Sequence, residues 1–287
     1  MMPHLFTVVS PEKPDFALRF DQPVMTIGSC FSDEVGSRLL ASGFDVAINP
    51  MGTLYNPLSI ADALQAAMEG RKAQDADIVQ HDGRCYSWRH HGSISAENEV
   101  ECKKMCDEAV EKTAQVLSKA KLLIVTFGTS WVFHLATGGQ VVANCHKQHP
   151  HLFERRQVSV VEIVQRWEAV MKQLKEFNCH MKVVFTVSPI RHLADGAHGN
   201  QLSKATLLLA TEELCKRWEA YYFPAYEIVM DELRDYRFYA PDLTHLSVTA
   251  IDIVWHRFQE TFLSAADMQQ AHNNAKQARK LQHRPIH

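Results

Sequence analysis

Short apolar runs and longer stretches of helical period succeed one another along the chain. PVMTIG is apolar and brief, which predicts a buried strand. FSDEVGSRLLASG then sets Val35, Leu39 and Leu40 on one side of a helix that stops at Gly43. FDVAIN predicts a second strand and PMGTLYNP a loop rich in turn formers. PLSIADALQAAMEG predicts a helix with Pro57 near its start and Gly70 at its end. In DIVQHDGRCYSWRHHGSI the pattern changes, and an Asp-Gly turn between mixed residues predicts an inserted β-hairpin.

NEVECKKMCDEAVEKTAQVLSKA returns to helix. KLLIVTF is apolar throughout and bounded by polar residues, as expected of a central parallel strand. VFHLATGGQVVANC reads as a hairpin around Gly138 and Gly139, VSVVEIVQRWEAVMKQLKEF as a long helix and MKVVFTVSPI as another central strand. QLSKATLLLATEELCKRWEAYY predicts a helix, AYEIVMDEL an edge or last strand, and SVTAIDIVWHRFQETFL a closing helix capped by Ser247. The alternation predicts a doubly wound, three-layer α/β/α fold with a mainly parallel central sheet and β-hairpin insertions. One domain is expected over residues 1–264. Residues 265–287 are polar with almost no apolar face, so a projecting helix or frayed end is expected there.

Composition narrows the functional classes. The 287 residues are 46% apolar and 22% charged, which fits an ordinary globular protein rather than a disordered or fibrous one. A formal charge of -3 supplies no global basic field, so neither nucleic acid nor a membrane surface is an expected partner. No apolar run approaches a bilayer span, the N-terminal stretch lacks a signal-peptide pattern, and the seven cysteines are irregularly spaced. Together these lead to the expectation of a cytoplasmic protein.

In open α/β sheets, ligands collect outside the carboxyl ends of the strands. Four groups fall there: Gly28 to Cys30, Gly52, Gly128 to Trp131, and the loop Pro241 to His245. Ser29 at a strand-to-helix turn is either a helix cap or a nucleophile placed near helix N-terminal amides. In PDLTHLS, Asp242 and His245 are spaced so that the carboxylate can accept from imidazole Nδ1 and leave Nε2 to deprotonate a serine; the alternative is a solvated loop.

GSCFS at 28–32, followed in order by NPMGTLYNP, TFGTSWVF, VVANCHK, SPIRH and RFYAPDLTHLS, resembles the GSCFA family, which is related to SGNH or GDSL-like hydrolases. The resemblance runs from Thr26 to Phe262, with Ser32 in place of the usual Ala. It implies a flavodoxin-like SGNH-hydrolase fold, with Ser29 as nucleophile, His245 as general base and Asp242 as its orienting partner. It further implies that the Ser29 and Gly52 N–H groups contribute to an oxyanion hole. The Asn that related hydrolases carry in a GxND block is replaced here by Ser130, so either Ser130 or Asn144 is the candidate third donor, with Asn144 preferred as an amide N–H.

Several residues have rival readings. Cys30 is an alternative nucleophile, since a thiol near a helix N-terminus can have a lowered pKa. Cys145, His146, His149 and His151 are competent zinc ligands, but their spacing matches no usual pattern, so no metal is expected. Cys102 and Cys106 read as packing residues. Trp131, Lys147, Arg191 and His192 are candidate substrate contacts, with core or surface-loop roles as their alternatives. The expected activity is ester hydrolysis through an acyl-enzyme on Ser29, without cofactor, on a small-molecule or saccharide ester. Acetyl esters of sugars are what the resemblance implies. An O-acyltransferase using the same triad, or a noncatalytic saccharide-binding module, are the alternatives, and the oligomeric state stays open.

Overall fold

The computed structural model describes residues 7–282. Its first half contains β1 (Val24–Gly28), α1 (Cys30–Ala41), β2 (Val46–Ile48), α2 (Pro57–Glu69), β3 (Ile78–His81), β4 (Arg84–Ser87), β5 (Ser95–Ala96), α3 (Glu99–Lys119) and β6 (Leu122–Phe127). Then come β7 (Trp131–Leu135), β8 (Val141–Val142), β9 (Phe153–Gln157), α4 (Val160–Phe177), β10 (Lys182–Val187), α5 (Gly196–Trp218), β11 (Tyr221–Tyr222), α6 (Ala225–Glu227), α7 (Val248–Phe262) and α8 (Ala265–Gln282).

The central sheet is parallel throughout, in the order β11-β10-β6-β1-β2. Its inner strands are apolar without alternation because both faces are covered. Met25, Ile27, Leu123, Val125 and Phe185 pack into one core with residues of α2, α4 and α5. Val24, Leu122, Ile124 and Val184 point the other way, into a core with α1 and α7. This is the predicted three-layer arrangement, and the two predicted hairpins form antiparallel sheets beside it, β3-β4-β5 and β8-β7-β9. Asp82 and Gly83 both take positive φ (46° and 73°), as a two-residue Asp-Gly hairpin turn requires. Arg89 ties the first hairpin to α2, donating to Asp62 at 2.7 Å and Asp77 at 2.8 Å.

Two predicted elements are different, the first being the helix expected through Tyr222, which ends at Trp218. AYEIVMDEL is not a strand: Ala225–Glu227 is a short helix that continues as a π-helical turn over Ile228–Glu232. The fifth strand is Tyr221–Tyr222, just before it. A short apolar run suits a strand or a buried helical turn equally well. Here Ala225, Ile228 and Val229, together with Leu233, cover the α7 side of the sheet, and that requires a helical spacing.

The C-terminal segment is helical through Gln282, and 283–287 lie outside the described residues. It does more than project. Ala271 is fully buried, and Asn274 Nδ2 donates to Ser42 O at 2.9 Å at the end of α1. Among the described residues, no helix is long and apolar enough to cross a membrane.

Candidate active site

The register Gly28↔Thr126 brings the end of β1 beside β6, at the point where the chain changes direction across the sheet. Only glycine fits at position 28: its φ is 139°, and a Cβ would lie 2.2 Å from Thr126 O. Asn49 pins the turn from the other side, its Oδ1 accepting from Gly28 N at 2.8 Å while its Nδ2 donates to Asp33 Oδ1 at 2.7 Å. This buried asparagine holds a left-handed φ of 40°.

Ser29 occupies the N-cap position of α1, but its side chain makes no capping hydrogen bond. It is 1% exposed, and Oγ has no partner among the described residues. A hydroxyl buried without a partner costs about 1–3 kcal/mol, and such groups call for an explanation other than stability. The helix-cap reading therefore fails on geometry. The adjacent thiol of Cys30 is pushed upward, first by burial and then by the Asp33 carboxylate, opposite to the shift a reactive cysteine needs. Ser32 has a structural use: its Oγ donates to Thr126 Oγ1 at 2.8 Å and secures α1 against β6.

The Asp242–His245 pair forms locally, as its spacing predicts. His245 Nδ1 lies 2.6 Å from Asp242 Oδ2, while Asp242 Oδ1 accepts the N–H groups of Thr244 and His245 at 2.9 Å each. The bond from His245 and these two amides hold the Asp242 carboxyl down at about 2. Leu243, between them, takes a left-handed φ of 55° that closes the turn. Ser247 caps α7 as expected, accepting from Ala250 N at 3.3 Å.

The expected oxyanion donors fare less well. Gly52 N–H is held in a turn by Asn49 O at 2.7 Å, so it is not vacant; a Cβ there would strike His91 Cβ at 2.3 Å. Ser29 N–H is donated to Thr126 O, but over a longer 3.2 Å. Ser130 is fully buried and turned away: its N–H and Oγ both donate to Ser203 Oγ, at 2.8 and 3.1 Å, and its Oγ accepts from Gln157 at 2.9 Å. Asn144 uses Oδ1 to accept from His146 N at 2.8 Å, which leaves its Nδ2 hydrogens unassigned among the described residues.

Of the expected substrate contacts, Arg191 is a brace. Its N–H donates to Thr244 O at 3.3 Å and its Nη1 to Leu243 O at 3.1 Å, with Tyr239 stacked beneath its guanidinium. His192 meets the ring of Tyr55 edge-on, and burial, followed by the nearby Lys204, pulls its imidazole down to about 4. Trp131 carries the Arg155 guanidinium 4.2 Å above its ring, and Arg155 in turn bonds Asp195. Lys147 is exposed, with a left-handed φ of 55°. The His146 ring stacks on Tyr86 and bonds Ser87 O at 2.8 Å, so it is spent on packing. Beside Arg191 a cavity of about 260 Å³ is lined by Gln201, Tyr226, Met230, Tyr236 and Tyr239.

Sequence reasoning passed over Asn49, Ser203 and Lys204. Lys204 is 1% exposed, and its Nζ donates to Gly128 O at 2.6 Å and Ser188 O at 2.7 Å. One signal for it existed: Lys204 shares a helical face with Leu207, Thr211 and Leu214, all buried, so a lysine stands in a core position.

The GSCFA family model matches residues 23–258. The chain belongs to the GSCFA family. No curated protein matches it. Among solved structures, this GSCFA protein is similar to a GDSL-like lipase from Parabacteroides merdae ATCC 43184, with TM-score 0.45 and 11% identity, covering 87% of this chain and 99% of the other. It is also similar to an acylhydrolase from Bacteroides fragilis NCTC 9343, with TM-score 0.42 and 10% identity over 90% and 91% of the two chains. A third is the periplasmic domain of a lipopolysaccharide acetyltransferase from Salmonella ser. Paratyphi A, at TM-score 0.40 and 8% identity, covering 85% of each.

Proposed function

We propose that this GSCFA protein is a serine hydrolase of carboxylic esters. The observation that carries the reading is the Ser29 hydroxyl, buried at the carboxyl end of the sheet, released from capping its own helix and bonded to nothing among the described residues. The Asp242–His245 pair supplies what it lacks, a base with its tautomer fixed by a carboxylate that stays ionised at any physiological pH. His245 makes no hydrogen bond to Ser29 here; such contacts commonly tighten only when substrate binds.

In the reaction Ser29 Oγ attacks the ester carbonyl carbon, and its proton passes to His245 Nε2. The tetrahedral oxyanion faces the N-terminus of α1, whose first-turn amides the Ser29 side chain leaves uncapped, and the long Ser29 N–H bond to Thr126 can be shared with it. Collapse of the intermediate breaks the bond to the alcohol oxygen, which takes the proton from His245. Water then attacks the acyl-enzyme by the same route and releases the acid. The cavity beside Arg191 is lined by Tyr226, Tyr236 and Tyr239 with Leu193, Val229 and Leu233, and by none of Ser29, Asp242 and His245, so it is a neighbour of the base loop through Arg191 and does not itself hold the reacting bond.

Intact-mass analysis after treatment with a fluorophosphonate tests this. One stoichiometric adduct is expected on the wild type, absent in Ser29→Ala, unchanged in Cys30→Ala and formed more slowly in His245→Ala. A folded wild type that forms no adduct removes the proposal.

A further inference from the structure

Lys204 is the one lysine among the described residues with its side chain buried in the core. A methionine would occupy the same space without removing an ammonium from water, so filling the core does not account for it. Its two acceptors lie just beyond the ends of the two central strands β6 and β10. Each leads to a different half of the site. Gly128 lies against the nucleophile, so close that a Cβ on it would stand 3.1 Å from Ser29 Cβ. Ser188 opens the segment that ends in Arg191, whose N–H and guanidinium hold Thr244 O and Leu243 O in the loop carrying the base. The neighbouring Ser203 fixes the same Gly128 loop by accepting Ser130 N–H.

We propose that Lys204 is a positioning residue that couples the two halves of the Ser29 site, its ammonium clamping Gly128 beside the nucleophile and Ser188 at the root of the base loop. This rests on the esterase reading above. Burial pulls the Lys204 ammonium down to about 7, and its charge is felt at both Cys30, beside the nucleophile, and His192, next to Arg191 in sequence. Only two of its hydrogens have acceptors among the described residues. The clamp survives loss of one proton, because a neutral amine still donates twice.

The test compares Lys204→Met and Lys204→Gln with Leu207→Ala, a core truncation on the same helix face, using 4-nitrophenyl acetate hydrolysis, fluorophosphonate labelling of Ser29 and thermal melting. The clamp predicts a fall in kcat of about 10- to 100-fold in Lys204→Met with KM within about twofold, as misplacement of reacting groups produces. Lys204→Gln, which keeps one amide donor group, should fall between. Leu207→Ala should keep its kcat even if it melts as early as Lys204→Met. Should the variants fail to fold, the lysine Nζ spectrum of the wild type decides: a solvent-protected ammonium signal is expected, and it should shift when Ser29 is phosphonylated. Wild type that labels at Ser29 while the Lys204 variants keep full kcat, or while the signal stays put, overturns the clamp and leaves the esterase reading standing. Wild type that does not label removes both.

Discussion

The two halves of the proposed site are built in opposite ways. The Ser29 turn is fixed by partners far away in sequence: Gly28 rests on Thr126 of β6, and Asn49 holds its N–H. The Asp242–His245 loop is fixed mostly by itself, with the carboxylate bonded to residues two and three positions later. Their surroundings differ as sharply, since Ser29 is 1% exposed whereas the His245 and Asp242 side chains are 56% and 51% exposed. A serine placed by the whole sheet has little freedom to adjust. A histidine on a short exposed loop is tied to the rest of the fold by few bonds, among them those from Arg191 to Thr244 O and Leu243 O.

This contrast can be broken by substitution, and the nucleophile side should break hardest. Ser29→Ala should lower ester hydrolysis about 10⁴-fold or more at unchanged melting temperature or slightly above it, because an unbonded buried hydroxyl is lost. Asp242→Asn should cost roughly 10²- to 10³-fold in kcat by releasing the imidazole tautomer, with almost no change in stability at so exposed a site. Gly28→Ala should cost about 3 kcal/mol of stability in a denaturant melt, since a Cβ meets Thr126 O in a backbone region closed to alanine.

Acid sharpens the comparison. His90 and His192 are both held near 4 by burial, against an ordinary value of 6.5. Between those values the unfolded chain binds protons that the folded one refuses. Stability is therefore complete above about pH 6.5 and falls as pH drops toward 4, by about 3 kcal/mol for the fully buried His90. Asp242, held down at about 2, stays ionised throughout this window and adds nothing to that loss in a melt series across it. Arg191→Ala should have the smallest effect, a loss of a few-fold in kcat from a loosened loop, measured with the same ester.

What was legible in the sequence followed the same division. Local features read directly: the continuous apolar runs of β6 and β10, the Asp-Gly hairpin, and the Asp-x-x-His bond, whose partners are three residues apart. The glycine before Ser29 marked the turn, although why it must be glycine depends on a carbonyl of β6. Features set by long-range contacts stayed hidden. Nothing in NPMG announces that Asn49 reaches back to Gly28 or that Gly52 N–H is consumed by its own turn, and nothing in GTSW announces that Ser130 bonds Ser203 of α5. The helical turn after β11 was hidden because its apolar run is too short to have a period.

Pairing Gly28 with Thr126, and leaving His245 to the loop before α7, also sets an order of events during synthesis. The serine turn can lock only after β6 has emerged from the ribosome, and the base arrives near the very end of the match to the family. On the esterase proposal, a nascent chain that has not yet reached residue 245 lacks its base, whatever part of the sheet has already folded.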